Sequence, residues 1–196
     1  MVNILFRLCA AVFSVLGFSL CAAGQELSLA TNIADYAMGG TLNAETSYGI
    51  SRHWSLNAGF RYNPFRYGEG DDIRLHRQRS FSAGARWWPW HIYSGWWISW
   101  KIQYQEYAST DSQGALFPDY FGGGAAMEGD RYGAGVGAGY SRMLGPHFNL
   151  DLGLGFWGGY STYVRYSCPS CGRIVDNGAK PFFLPNELIL ALNYIF

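Results

Sequence analysis

Counting back by twos from Phe196 gives Tyr194, Leu192, Leu190 and Leu188, an apolar row with aromatic tips whose opposite parity begins at Glu187. Alternation of this kind sends successive side chains to opposite faces of a strand. The pattern recurs along the chain. Tyr132, Ala134, Val136, Ala138 and Tyr140 alternate with Gly133, Gly135, Gly137 and Gly139, and Phe148, Leu150, Leu152, Leu154 and Phe156 alternate with Asn149, Asp151, Gly153 and Gly155. Trp96, Ile98, Trp100, Ile102 and Tyr104 stand over Trp97, Ser99, Lys101 and Gln103, and Trp54, Leu56, Ala58, Phe60 and Tyr62 over Ser55, Asn57, Gly59 and Arg61. Two further rows run from Leu42 to Ile50 and from Ser80 to Trp87, a first strand lies around Leu27, Leu29, Thr31 and Ile33, and the last spans 186–196. The total is eight. Apolar rows about as long as a tilted membrane strand, with aromatic residues at both ends, predict an all-β fold: an eight-stranded antiparallel transmembrane β-barrel with a side-chain-filled lumen.

The connections predict its orientation. Short turns fall near Arg52-His53, Pro89 to Ser94 and Leu144 to His147, whereas 64–74, 108–130 and 162–185 are long and rich in Gly, Asp, Ser and Pro. Outer-membrane barrels keep periplasmic turns short and extracellular loops long. The tight first hairpin near Met38-Gly40 is expected to be a short outer loop. A soluble, lipocalin-like barrel would turn the same rows inward. Its water-facing surface would then be the Gly-rich, weakly charged set, and its interior would have to hold eight aromatic-heavy rows in a space barely wide enough for side chains.

The segment Leu8 to Ala23, after Arg7 and before Gly24, reads as a signal peptide covering 1–24 and cut before Gln25, leaving the barrel domain at 25–196. It is short for a spanning helix. Leu20 stands before Cys21 where lipidation wants a small residue. Removing Arg7 from the 14 basic residues leaves 13 against 14 acidic ones, and this neutrality argues against nucleic acid as a partner. Charged residues are only 14% of the chain while aromatics reach 18%, a balance unlike that of a water-facing domain. Cys9 and Cys21 leave with the signal, so Cys168 and Cys171 remain as an exported pair able to oxidise.

Several segments, in this order, resemble the bacterial outer-membrane barrels of the family catalogued as domain of unknown function 3575. They are Leu29-Ala30-Thr31-Asn32, Arg52-His53-Trp54-Ser55-Leu56, Tyr62-Asn63-Pro64-Phe65, Arg131-Tyr132-Gly133, Asn149-Leu150-Asp151-Leu152 and Tyr166-Ser167-Cys168-Pro169-Ser170-Cys171-Gly172. The last-strand entry Leu184-Pro185-Asn186-Glu187 departs from the more usual Gly-Pro-Thr. The resemblance covers nearly the whole mature chain and implies location and fold, since the family carries no established activity. Its members' frequent encoding near surface-fimbria components in Gram-negative anaerobes implies surface or fimbrial proteins as partners.

Three chemistries fit Cys168-Pro169-Ser170-Cys171-Gly172. The plainest is a disulfide stiffening the last outer loop. A metal half-site would need a second pair of ligands, and a redox dithiol would need a helix to lower its thiol pKa. His53, His91 and His147 fall in the short periplasmic turns, where a metal or pH-sensing cluster competes with a structural role, and only His76 lies on the outer side. Glu45, Arg61, Arg86, Lys101, Asp151 and Glu187 are inward-facing, three acids and three bases, and are expected to pair as a structural plug and not as an active site or pore. Phe117-Pro118-Asp119-Tyr120-Phe121 offers an aromatic patch to a surface partner.

These features predict a non-enzymatic protein without cofactor in the outer membrane of a Gram-negative bacterium, in contact with membrane lipid and delivered to the barrel-assembly machinery by its last strand ending at Phe196. Its long loops would serve surface interaction, envelope integrity or the assembly of structures such as fimbriae. The alternatives are a lipid-modifying enzyme of the lipid A deacylase kind, which would need a nucleophile, His and carboxylate on the outer side, and a narrow channel.

Overall fold

The computed structural model describes residues 27–37, 40–67, 74–110, 126–167 and 172–196. In chain order these form β1 (Leu27–Asn32), a short helix α1 (Ile33–Ala37), β2 (Leu42–Ser51), β3 (Trp54–Asn63), β4 (Arg66–Tyr67), β5 (Arg74–Trp87), β6 (Gly95–Thr110), β7 (Ala126–Met143), β8 (Phe148–Tyr166) and β9 (Ile174–Ile195). Neighbouring strands are antiparallel, β1 pairs with β9, and β3 pairs with β5, so eight strands close into a barrel with the two-residue β4 laid on the far end of β5.

The apolar rows point outward. Ile102 is 68% and Leu154 60% exposed, and Tyr140 and Leu152 also lie on the outer face. The polar and glycine rows point in, with Ser55, Asn149 and Asp151 fully enclosed. The register explains why these residues share a face: Trp96 stands opposite Tyr140 and Ile98 opposite Ala138, while Lys101 stands opposite Gly135.

Three expectations need correction. The first strand does not run through Ile33. Asn32 Oδ1 accepts the Ala34 N–H at 3.3 Å and the Leu190 N–H at 2.9 Å, while Asn32 Nδ2 donates to Leu188 O at 2.9 Å. The side chain therefore starts α1 and satisfies the β9 backbone where β1 leaves it. The first hairpin is correspondingly not a bare tight loop, because α1 occupies it. Its end is fixed by Gly40 at φ 65°, whose N–H donates to Tyr36 O, and by Thr41 N–H donating to Asp35 O.

The segments 108–130 and 162–185 are not loops throughout. β6 continues to Thr110, β7 begins at Ala126, β8 runs to Tyr166 and β9 starts at Ile174. Strands of 16–22 residues on this side contrast with 6–10 in β1 to β3. The barrel has a high wall and a low wall.

Strand β9 also changes parity. Gly155 pairs with Glu187 but Trp157 pairs with Leu184, so an extra residue is accommodated between them. Below the bulge the odd-numbered residues of β9 face the lumen; above it Phe182 turns inward onto Trp157 while Phe183 lies outside against Phe156.

Candidate functional site in the barrel lumen

Two plugs fill the interior. At the end with the short turns, the chain between β5 and β6 folds up into the barrel. Trp88, Tyr93 and Trp97 pack there with Ile195. Tyr93 takes φ 62°, a conformation costly for a non-glycine residue. Its surroundings hold it there: the Tyr93 hydroxyl donates to Ser47 O at 3.0 Å, and Tyr93 O accepts from Ser141 and Asn149. Trp88 Nε1 donates to Ser55 Oγ at 3.1 Å. Pro89 to Ser94, expected as a plain turn, thus belongs to a stopper.

The glycine rows make room for it. A Cβ on Gly139 would lie 2.4 Å from Trp97 Cζ2 and 2.2 Å from Leu152 O, and one on Gly153 would lie 2.9 Å from the same ring. Gly139→Val is expected to destabilise the barrel by about 1–3 kcal/mol through overpacking. Gly145→Val, at a position with nothing within 4 Å, is the control, and urea midpoints followed by tryptophan fluorescence compare the two.

The second plug is ionic. Arg61 Nη2 donates to Glu187 Oε1 at 2.9 Å, and Arg61 Nε reaches Asp35 Oδ2 at 2.8 Å. Lys101 Nζ bonds the other oxygen of Glu187, at 2.5 Å. Nearer the aromatic stopper, Arg86 joins Asp151 at 2.9 Å and Glu45 at 3.0 Å, and its guanidinium carbon lies 4.3 Å from the Trp97 ring centroid. Asn57 Nδ2 also donates to Glu45. All six charged residues singled out in the sequence lie in this network, which has a seventh member. Asp35 reaches it from α1, bringing the acids to four against three bases.

Between the plugs is a chamber of about 40 Å³ bordered by Glu45, Ser82, Arg86, Asp151, Glu187 and Asn193. Higher in the lumen Arg131 stacks on Tyr107, with its guanidinium carbon 3.8 Å from the ring centroid, and the Tyr107 hydroxyl meets Ser161 Oγ at 3.0 Å.

The other sequence candidates fall elsewhere. Ser167 N–H donates to Arg173 O at 3.1 Å across the β8–β9 turn, but Cys168 and Cys171 between them lie outside the described residues. So does Phe117 to Phe121. His53 Nδ1 donates to Trp88 O, His91 Nδ1 to Ile92 O and His147 Nδ1 to Ile195 O, since a carbonyl can only accept. His53 and His91 are tied to turn backbone and His147 to the end of β9. Among the described residues no three His, Cys, Asp or Glu side chains gather as metal ligands.

One family model matches the chain, that of a protein of unknown function (DUF3575), over residues 9–196. The chain belongs to this family. No curated protein and no solved structure matches it. The DUF3575 chain thus shares a family defined without an activity, and its own geometry has to supply the functional reading. Asp35 and the stopper of Trp88, Tyr93 and Trp97 were the residues sequence reasoning missed. A signal for Trp97 was present: it is the only large aromatic residue in the otherwise polar row Trp97, Ser99, Lys101 and Gln103.

Proposed function

We propose that this chain is an outer-membrane barrel of a Gram-negative bacterium that presents its high wall to surface partners and performs no chemistry of its own. One observation carries the reading. The exterior of the closed barrel is banded with exposed apolar side chains, from Trp54, Leu56 and Phe60 to Leu152, Leu154 and Phe156, while charge is gathered inside. Water-soluble proteins rarely expose contiguous apolar surface on this scale. Hydrocarbon is the solvent that suits it, and a closed barrel leaves no unpaired backbone edge in the spanning band.

Export by the segment 1–24, handling by the barrel-assembly machinery through the strand ending at Phe196, and contact with outer-membrane lipid follow from that placement. The two plugs and the small chamber between them oppose a diffusive pore. What extends beyond the band is the wall of β6 to β9, a rigid platform for the segments that join these strands, and binding concentrates on such segments. Surface or fimbrial proteins are the partner class.

Cell fractionation and gel electrophoresis test the placement. The protein is expected with the outer membrane, soluble only in detergent, and faster-migrating on a gel when unheated than when boiled. Recovery in the soluble fraction without detergent would overturn the membrane reading. Photo-cross-linkers placed at Thr162 and Val175 in intact cells are expected to trap a surface protein, and cross-links to lipid alone would reject the partner reading.

A further inference from the structure

The geometry points to a binding site for one monovalent metal cation, sodium or potassium, in the chamber between the two plugs. The local charges do not balance. Arg61, which also lines the chamber, and Lys101 are bonded to Asp35 and Glu187, and Arg86 is the base bonded to Glu45 and Asp151, so four acids stand against three bases. One negative charge is left over, shared between the enclosed Asp151 and the partly open Glu45. Arg131 does not supply the missing charge. It lies four residues before Gly135, the partner of Lys101, in β7 and is stacked on Tyr107 beyond the ion cluster.

A buried charge without a counter-charge is costly, and the chamber holds the means to supply one. Asp151 is 2% exposed, and its Oδ1 has no hydrogen-bond partner among the described residues. Glu45 keeps 39% of its side-chain surface open. Ser82 and Asn193 add neutral oxygens to the same wall. About 40 Å³ accommodates one small ion with one or two waters. A divalent ion fits worse, because its double charge overshoots the deficit and hard divalent ions ask for six or more oxygen ligands. A proton on Asp151 would cancel the charge but would make no use of the neutral oxygens or the space.

The test uses the full mature chain folded in detergent micelles at fixed pH and ionic strength, unfolded by urea in sodium, potassium or N-methyl-D-glucamine chloride. Sodium or potassium is expected to raise the folding constant in proportion to one plus the ratio of cation concentration to dissociation constant, about elevenfold at ten times the dissociation constant. Asp151→Asn removes the surplus charge, so it is expected to fold by the gel-shift criterion and lose the cation dependence. If that variant does not fold, Glu45→Gln carries the same expectation. Sodium-23 NMR lines are expected to broaden with the native barrel and to narrow again on adding potassium. Equal stability in N-methyl-D-glucamine, a cation dependence that survives Asp151→Asn or Glu45→Gln, or a stability that follows pH while ignoring sodium and potassium would each overturn the site.

Discussion

Glu187→Ala is expected to lower the stability of the folded barrel by about 3–5 kcal/mol, because it strips two buried cations of their shared partner and leaves them charged in a confined space. Arg61 retains Asp35, while Lys101 retains no carboxylate among the bonds described for it. The loss is therefore expected to fall on Lys101, and Lys101→Met in the Glu187→Ala background should recover part of it by removing the stranded ammonium. Urea unfolding of the three proteins in the same micelles measures this. Equal midpoints for Glu187→Ala and the wild type would show that Glu187 contributes nothing net to the plug.

Trp97→Ala is expected to cost about 3–5 kcal/mol, in the range for truncating a large buried aromatic. Trp97 is 1% exposed, packs in the stopper and forms the face on which Arg86 lies. Its removal opens a cavity against Gly139 and Gly153 that rigid backbone cannot close, and it deprives Arg86 of its ring contact. Trp97→Phe is expected to lose less. A double-mutant cycle with Arg86→Met isolates the contact with the ring, and a coupling energy indistinguishable from zero would show that the contribution of Trp97 is packing alone.

Much of the barrel was legible because an apolar outer face and a polar inner face impose a period of two on every strand of the closed barrel. Leu152 and Asp151 declare their faces by chemistry as well as by parity. The high wall was not legible for the same reason. Beyond the apolar band the outward positions become Arg79, Glu106 and Asp130, and the sequence reads as loop although the ladder continues from Gln105 opposite Arg131 to Thr110 opposite Ala126. Arg79 and Glu106 pair there at 2.6 Å, exposed, which stiffens the wall only slightly.

The bulge between Leu184 and Glu187 was hidden because counting by twos assumes an unbroken ladder, and Phe182 therefore lands on the opposite face from the one its parity predicts. Asp35 escaped because it belongs to α1, where alternation no longer applies. Its place in the lumen depends on Asn32 turning the chain across the barrel mouth. The six charges in the inward-facing rows were visible as a set, but their division into one balanced cluster and one acidic cluster depends on strand stagger, which no single row of residues encodes.

Strand β1 holds the circle closed with very little thread. Four residue pairs tie it to β2 and five tie it to β9, whereas β6 and β7 share sixteen. The seam is thus the loosest stitch in the hoop, and the side-chain amide of Asn32, fastened to Leu188 and Leu190 just past the last rung, acts as its clasp. Fraying under heat is expected to start at this join, and a chain zipping itself shut would finish there.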